Sequence, residues 1–296
     1  MAHCSGTLND VAALPNLSVQ QLDYLVAVHE SPTWADAAAA VGVTPSALSQ
    51  GLAELERRLG VTLFRRDGRR RLPTEAAGVV LDHAHAVLAR TQDLARWAER
   101  QRTGTTGTVR VGMIDAAATI HCASALAEFR GSRPDVALHL QVSPSGELLR
   151  DLAAARLDVV VCVAPAVLPE RVTATRLLDD DLAVYAPIDG PTKEWGPWVT
   201  YPVGSQTRTL VLDALRRAGH AVTVVAESHQ PDVLAQMVAL GLGWSVLPVA
   251  QVERSGVALR RVGPKAFVRR TLLVAHRADG PVDPTVDALL RAVGSR

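Results

Sequence analysis

One short stretch of the chain concentrates positively charged side chains. Residues 57–71 contain seven arginines and a single acidic residue, Asp67, whereas the whole chain of 296 residues has a formal net charge of +1. Guanidinium groups at this density could bind the phosphates of a nucleic acid. A solvated charged surface is the commoner explanation of such a run, so the elements that hold the arginines must decide between the two.

Residue types suited to catalysis occur elsewhere, but their spacing does not favour an enzyme. Glu227, Ser228 and His229 are neighbours at a predicted strand end, where adjacent side chains point apart, and no Gly-x-Ser-x-Gly motif accompanies them. His83 and His85 are two positions apart on a predicted helix and do not share a face for a metal ion. The glycine pattern of a dinucleotide site is incomplete. We therefore predict no catalytic residue, no metal site and no cofactor.

The composition is typical of a globular chain from a reducing compartment. Hydrophobic residues make up 48% of the chain, enough for the cores of about two domains. The cysteines, Cys4, Cys122 and Cys162, are odd in number and widely spaced, which argues against a disulfide scaffold. We expect Cys122 and Cys162 to pack as small apolar residues. Without a long apolar run or an export signal, the protein is expected to be cytoplasmic and to have no membrane partner.

Capping residues divide the N-terminal region into three helices. Ser18, Thr33 and Thr44 each stand just before a helical pattern, where a hydroxyl oxygen can accept from free backbone N–H groups. The third helix has Pro45 at its first position and is expected to end at Gly60. Two helices joined by a tight turn, the second with small polar groups near its start, are typical of a helix-turn-helix.

The arginine run falls on a predicted hairpin directly after the third helix. Asp67-Gly68 is a strong turn signal between two short strands, and a basic hairpin beside a recognition helix is typical of a wing. This placement favours phosphate binding, because the ribbon would lie beside the major groove. The predicted phosphate contacts are Arg65, Arg66, Arg69 and Arg70.

A long helix is predicted from Thr74 to about Arg102. Apolar and small residues recur in it at alternating spacings of four and three, which is a coiled-coil-like seam. A seam that no preceding domain covers implies a second copy of the chain; a helix lying on its own core is the alternative. The seam consists of Val80, Ala84, Val87, Thr91, Leu94 and Ala98.

Residues 18–102 closely resemble the N-terminal region of LysR-type transcriptional regulators. The matching segments are Ala37-Ala38, Val43 to Gln50, Leu55-Glu56, Leu59 to Val61 and Leu63 to Arg66. The remaining chain is similar to the effector domain of the same family. Its matching segments are Phe129, Pro134 to Val136, Leu157 to Val160 and Gly241 to Pro248.

The resemblance implies an α/β protein with an N-terminal winged helix-turn-helix, a long linker helix and two Rossmann-like subdomains of periplasmic-binding-protein type. The implied partners are double-stranded DNA, a small-molecule effector, a second copy bound through residues 75–101, a further dimer that completes a tetramer, and RNA polymerase. The DNA contacts expected on the third helix are Thr44, Ser46, Ser49 and Gln50. Gln50 is best suited to a bidentate contact with adenine. Pro45 and Gln50-Gly51 depart from the residues common in the family, as do Ala35 and Asp36, so the base preference should differ.

The expected domains follow from these assignments. They are a disordered extension at 1–17, a winged helix-turn-helix domain at 18–74, a dimerisation helix and hinge at 75–107, and an effector-binding domain at 108–296. Within the last, subdomain I comprises 108–164 and 268–296, and subdomain II comprises 165–267. Predicted strands lie at 109–114, 137–142, 157–164, 182–187, 198–201, 221–226, 244–249 and 269–276, and a helix follows at 284–293.

A ligand of such a fold binds beyond the carboxyl ends of the strands, in the crevice between the subdomains. The effector contacts predicted from the strand ends are Ile114, Asp115, Ala116, Ser143, Ser145, Thr200, Ser205, Gln206 and Glu227. Hydroxyl groups beside an apolar first wall suit a small, partly apolar molecule, with Tyr201 as a bulky neighbour. Two alternatives stay open: an acid held by helix N-termini rather than by a buried arginine, or an amine opposite Asp115.

The sequence therefore predicts a LysR-type transcriptional regulator that binds specific DNA sequences, is controlled by an effector and is not an enzyme. A cytoplasmic α/β solute-binding protein or enzyme, in which the N-terminal domain is secondary, is the first competing class. A DNA-architectural protein without a ligand is the second. The predicted wing argues against the first class, and the predicted crevice argues against the second.

Overall fold

The computed structural model describes residues 16–67, 70–103, 107–190, 195–263, 265–279 and 283–294. The extension predicted at 1–17 lies almost wholly outside the described residues. Contacts between elements form two compact units, which meet in the sequence between Thr91 and Gln92. No helix in the described part of the chain is both long and apolar enough to cross a membrane.

The first unit contains three helices, and the predicted caps set where they begin. The helices are α1 (Val19–Glu30), α2 (Trp34–Ala40) and α3 (Pro45–Leu59). Ser18 Oγ accepts from the Gln21 N–H at 3.1 Å, and the Gln21 side chain accepts from the Ser18 N–H, which makes a capping box. Thr33 and Thr44 cap α2 and α3, and Gly60 ends α3 with a φ of 69°. The predicted boundaries are therefore confirmed.

Leucines of α3 form the centre of this unit. Leu48, Leu52 and Leu55 are 0–2% exposed and pack with residues of α1 and α2. Gly51, on the same helix, allows the ring of Tyr24 to approach the backbone. A Cβ atom at residue 51 would lie 2.6 Å from two carbons of that ring, much closer than van der Waals contact. Tyr24 and Gly51 are therefore a matched pair.

A hairpin and a long helix follow α3, as predicted. Strand β1 (Phe64–Asp67) pairs antiparallel with β2 (Arg70–Pro73), and α4 (Glu75–Thr103) comes next. Thr74 connects the three elements: its hydroxyl donates to the Thr62 carbonyl at 2.7 Å and accepts from the Ala77 N–H at 3.2 Å.

The seam predicted on α4 is only partly free. Ala84 is fully buried and Val80 partly buried in the core of the first unit. The expectation that no preceding domain covers the seam is therefore wrong for its first half, because this half packs on α4's own domain. The large apolar residues of α4 that stay exposed are Val79, Val87, Leu94 and Trp97. They lie within about 80° of one another around the helix and form what we call the α4 stripe.

The second unit alternates strands and helices. Its strands are β3 (Thr108–Met113), β4 (Ala137–Val142), β5 (Val159–Val163), β6 (Val172–Ala186), β7 (Trp198–Thr200), β8 (Val224–Glu227), β9 (Ser245–Pro248), β10 (Arg260–Val262) and β11 (Val268–Arg277). Its helices are α5 (Ala123–Ser132), α6 (Ser145–Ala153), α7 (Gln206–Arg217), α8 (Pro231–Ala239), α9 (Val249–Ser255) and α10 (Pro284–Gly294), with a π-helical turn at Ala117–His121.

Two long strands join the halves of this unit. One sheet has the order β10-β6-β11-β5-β3-β4, β9 also pairs with β6, and β7 and β8 form a separate parallel pair. Strands β6 and β11 are antiparallel over ten residue pairs and reach both halves. They are the crossover strands of a periplasmic-binding-protein fold, so the expected fold class is confirmed. One buried core lies around β3 and β5, and two others flank β6.

Two strand predictions need correction, and one strand was missed. The strand predicted at 182–187 is the end of the 15-residue β6, whose first half is polar and largely exposed and so lacks an apolar signal. Strand β10 was not predicted. Val249 begins α9 instead of ending a strand. The other predicted strands and the helix at 284–293 agree with the structure to within a few residues.

A buried charge cluster fixes the second part of α4 within the second unit. Both guanidinium nitrogens of Arg277 donate to Asp93, at 2.8 and 3.0 Å, and the two side chains are 7% and 9% exposed. Arg96 also donates to Asp93 and to the Ala155 carbonyl. The Asp93 carboxylate therefore serves two guanidinium groups from positions distant in sequence, and we call this cluster the Asp93 anchor.

Gly51→Ala should destabilise the protein even though alanine favours helices. The higher helix propensity of alanine is worth about 1 kcal/mol, but overpacking against Tyr24 costs roughly 1–3 kcal/mol. We expect a net loss of about 1 kcal/mol in the unfolding of the first unit, measured by urea titration. Gly78→Ala, in α4 with nothing within 4 Å of the added Cβ, is the matched control and should stabilise. Equal effects of the two changes would contradict the proposed fit.

Asp93→Asn should destabilise the second unit by about 3 kcal/mol, because it leaves a buried guanidinium group without its counter-charge. The matched control is Asp213→Asn, which removes an exposed pair with Arg216 of the same i, i+3 spacing. It should change stability by less than about 1 kcal/mol. Urea titrations of both variants measure the difference, and similar losses would show that burial of the anchor is unimportant.

Candidate nucleic-acid interface and ligand crevice

The start of α3 presents an exposed polar surface. Thr44 Oγ1 accepts from the Ala47 N–H at 3.2 Å, so this hydroxyl caps the helix while the residue stays exposed. Ser46 and Gln50 are exposed and four positions apart, which puts them on one face of the helix; Ser49 is half-buried. The structure thus brings the four predicted α3 contacts to one end of the helix, and their contact with DNA stays a prediction.

The hairpin is attached to α3 and α2 by specific contacts. Glu56 of α3 accepts from the N–H groups of Leu63 and Phe64, at 2.7 and 3.0 Å. The Phe64 ring meets Trp34 of α2 edge-on, with centroids 5.3 Å apart. The guanidinium group of Arg71 lies over the Trp34 ring, 4.5 Å from its centroid. These contacts hold β1 and β2 in a defined position on the helix-turn-helix.

The arginines of the run at 57–71 have different roles. Arg57 and Arg58 both contact Glu54 at 2.5 Å, and these hydrogen bonds lower the pKa of Glu54 to about 2. Arg71 covers Trp34. Arg65 is exposed on β1. The side chains of Arg66 and Arg70, and all of Arg69, lie outside the described residues. Of the four arginines predicted to contact phosphate, Arg65 is the one whose side chain is described, and the contacts of all four stay a prediction.

The second unit contains a crevice of about 370 Å³ between its two halves. Residues beyond β3 and β4 and the start of α6 form one wall. Residues 201–207 and the start of α8 form the other, and β11 contributes Arg270. Seven of the nine predicted effector residues line it: Ile114, Asp115, Ala116, Ser143, Ser145, Ser205 and Gln206.

Thr200 and Glu227 do not line the crevice, so the structure does not bring these two predicted contacts to it. The strand ends that carry them pair with each other, since Thr200 and Glu227 are partners in the β7–β8 register. Thr200 is buried, and the Glu227 carboxylate accepts from Arg208. Their neighbour Ser228 accepts from the Gln230 N–H at 3.1 Å, a contact that is typical of a turn.

The crevice contains a buried arginine that the sequence reasoning had excluded. Arg270 Nε donates to Asp180 Oδ2 at 2.9 Å, and Nη1 donates to Thr207 Oγ1 at 3.2 Å. Burial alone would raise the pKa of Asp180, but contact with His121 and the charge of Arg270 outweigh burial and lower this pKa. A sequence signal existed: Arg270 is two and four positions before the buried Leu272 and Val274, and alternation puts it on their face.

Two further polar side chains define the crevice. Tyr201 is buried and lines it, and burial raises the pKa of its hydroxyl to about 12. Asp115, at the end of β3, accepts from Gln251 Nε2 of α9 and so connects the two halves of the unit. Helices α6 and α8 both begin at the crevice without a side-chain cap, which leaves backbone N–H groups at their starts.

Cys122 and Cys162 are buried and form no disulfide, as expected. Burial raises the pKa of Cys162 to about 12, so its thiol is protonated at neutral pH. In the described part of the chain, no group of three or more histidine, cysteine or acidic side chains is arranged to hold a metal ion.

Both the N-terminal and the C-terminal part of the chain match a known protein family. Residues 19–78 match the bacterial regulatory helix-turn-helix protein, lysR family, and residues 102–296 match the LysR substrate binding domain. A probable hydrogen peroxide-inducible genes activator of Streptomyces viridosporus is 32% identical over 81% of each chain. The transcriptional activator IlvY of Salmonella typhimurium is 25% identical over 89% of this chain and 90% of its own.

Solved structures show the same fold. Full-length OxyR from Pseudomonas aeruginosa, as a point variant, has a TM-score of 0.59 with 23% identity, and 94% of each chain is covered. Full-length CbnR in complex with its target DNA has a TM-score of 0.58 with 19% identity, over 94% of this chain and 99% of that one. The chain belongs to the LysR family of transcriptional regulators, with the family's helix-turn-helix domain followed by its substrate binding domain.

Proposed function

We propose that the protein acts in the cytoplasm, that it reads specific DNA sites with α3 and the β1–β2 hairpin, and that a small molecule in the crevice controls it. The observation that best supports DNA binding in this proposal is the attachment of the hairpin to α3. Because Glu56 holds the start of β1 against the helix that exposes Gln50, one rigid element presents base-reading and phosphate-binding groups together.

The residues divide into two roles. Gln50, with its amide donor and acceptor, is suited to a bidentate contact with adenine, and Ser46, Ser49 and Thr44 flank it. The phosphate contacts are Arg65, Arg66, Arg69 and Arg70. Their charge provides affinity for any duplex, whereas the α3 side chains provide the preference for one site.

The crevice is the proposed effector site, and no catalytic step is proposed for it. Its seven lining residues from the sequence prediction, together with Tyr201 and Arg270, surround a volume suited to a small organic molecule. In this scheme residues 18–74 bind DNA, 75–107 form the dimerisation helix and hinge, and 108–296 bind the effector. RNA polymerase is the proposed downstream partner.

Dimerisation through α4 is the remaining element of the proposal. The α4 stripe exposes four large apolar side chains, and Leu94 is 63% exposed. A second α4 packed along this stripe would bury them and would bring two DNA-binding domains to one operator. Pairing of two such dimers would give the tetramer.

Similarity to a peroxide-inducible activator does not bring peroxide sensing to this chain. A thiol sensor needs an accessible thiolate. In the part of the chain that the structure describes, the cysteines are Cys122 and Cys162; both are buried, burial raises the pKa of Cys162 to about 12, and no cysteine follows it in the sequence. A non-covalent effector is therefore the proposed signal.

Gln50→Ala and Arg65→Ala should affect DNA binding differently. On a duplex selected by the wild-type protein from a random library, Gln50→Ala should weaken binding by about 1–3 kcal/mol and leave binding to random DNA unchanged. Arg65→Ala should weaken both equally and reduce the salt slope by about one unit, because it removes one phosphate contact. Fluorescence anisotropy at several salt concentrations measures both quantities. Equal losses of Gln50→Ala on the two duplexes would remove Gln50 from the base-reading residues.

Leu94→Asp should dissociate the dimer. A carboxylate without a partner in an apolar seam is unfavourable, and we expect the dimer dissociation constant to rise at least about a hundredfold in analytical ultracentrifugation. Gln92→Asp is the matched control, since residue 92 is exposed on the opposite side of α4. A Leu94→Asp protein that sediments as the wild type and binds its operator would show that the dimer forms elsewhere.

A further inference from the structure

Two buried hydrogen-bond donors on the crevice wall have no acceptor among the described residues. They are the Tyr201 hydroxyl and Nη2 of Arg270, and both residues are 4% exposed and line the crevice. Nη2 lies 2.8 Å from Asp180 Oδ2, but only Nε points its hydrogen at that oxygen. Buried donors without partners are rare because they lose their hydration, so the pair points to an acceptor that the crevice receives from outside.

The acceptor must be one that suits two donors. A guanidinium group only donates. The Tyr201 hydroxyl stays protonated, since burial raises its pKa to about 12, and it also interacts electrostatically with Arg270. Thr207 beside them is already bound to Arg270 Nη1. The uncapped start of α6 at the same crevice adds positive potential. Tyr201 and Arg270 therefore form what we call the donor corner. A carboxylate, with two oxygens and a negative charge, fits it.

A second part of the crevice, at Asp115, offers hydrogen-bond acceptors and negative charge instead of donors. Its carboxylate lines the crevice, and the side chain that contacts it, Gln251, has a buried Oε1 without a partner among the described residues. The pKa of Asp232 is raised, first by burial and second by the negative charge of Asp115. This acceptor corner offers oxygens and negative charge but no donor of its own except the Gln251 amide, so it fits an ammonium group.

The two corners belong to the same crevice. Tyr201 interacts electrostatically with Arg270 and Asp180 and also with Asp115. Tyr201, Arg270 and Asp115 all line one crevice of about 370 Å³, a volume suited to a single small ligand, and its other lining residues include Val142, Val163 and Val203.

We propose that the effector is a zwitterionic amino acid. Its carboxylate accepts from Tyr201 and from Nη2 of Arg270, its ammonium group donates to Asp115, and its side chain lies against the valines. This inference rests on the proposed effector site and names the class of molecule that it binds. It combines the acid and the amine that the sequence left as alternatives.

The test uses matched ligands and the full-length protein. The twenty L-amino acids are screened singly by thermal shift, and the best stabiliser is compared by calorimetry with two analogues of the same side chain. One analogue lacks the amino group and the other lacks the carboxylate. The amino acid should bind roughly ten- to hundredfold more tightly than either, because each analogue loses one charge-assisted contact.

Two conservative variants separate the contacts. Tyr201→Phe removes the hydroxyl and its contact with Arg270, and circular dichroism of the ligand-free variant checks that the fold is kept. Affinity for the amino acid and for the des-amino acid should fall about tenfold. Asp115→Asn should lower the affinity for the amino acid to a similar degree. The affinity for the des-amino acid should stay unchanged or rise, so that the preference for an ammonium group disappears. Tyr185→Phe, a buried tyrosine outside the crevice, and Asp213→Asn are the controls and should change neither affinity.

The outcomes that overturn the inference differ from those that overturn the effector site. If the des-amino acid or the amine binds as tightly as the amino acid, or if no amino acid binds, the zwitterion assignment is wrong. If any of these ligands binds and Ser205→Trp, which fills the crevice, abolishes binding, the effector site itself is supported. Binding that Ser205→Trp leaves unchanged, in a variant with wild-type circular dichroism, would move the ligand out of the crevice and overturn both.

Discussion

The second unit depends on the pairing of β6 with β11, and three consecutive polar pairs set the register of these strands. Arg269, Arg270 and Thr271 stand directly opposite Asp181, Asp180 and Asp179, and each pair is bonded side chain to side chain. A slip by one residue would put every side chain on the wrong face and would bury Arg270 without its carboxylate. Both subdomains are built outward from these strands, so this complementarity also places the crevice walls.

Arginine serves structure and binding in this chain, and its partners distinguish the two uses. Arg57 and Arg58 are held by Glu54, Arg71 by an aromatic ring, and Arg277 by Asp93. Guanidinium groups with such partners help to fix the local geometry of the chain. Arg270 is intermediate: Asp180 and Thr207 hold two of its nitrogens, and the third has no hydrogen-bond partner among the described residues. The count of arginines in a run is therefore a poor measure of its affinity for phosphate.

Sequence reasoning succeeded where the determining contacts are local. The caps at Ser18, Thr33 and Thr44 act on N–H groups three residues away, so the helix starts could be predicted. Arg270 was missed because its partner Asp180 is 90 residues distant. The signal that could have found it is the match of Asp179–Asp181 with Arg269–Thr271. Thr200 and Glu227 were misplaced because strand ends alone do not tell which ends face the crevice and which pair with each other.

Strand β11 joins the crevice to the linker helix. Arg270 lines the crevice, and Arg277 holds Asp93 of α4. Seven positions separate the two arginines, which is about 23 Å of extended strand. Because this number is odd, their side chains lie on opposite faces of the sheet. From Leu272 onward β11 is paired on both sides, with β5 and β6, and is therefore stiff. The register shift of the β6–β11 pair lies between the two arginines, at Leu272/Leu273. The irregularity therefore lies between the residue that lines the crevice and the residue that holds α4.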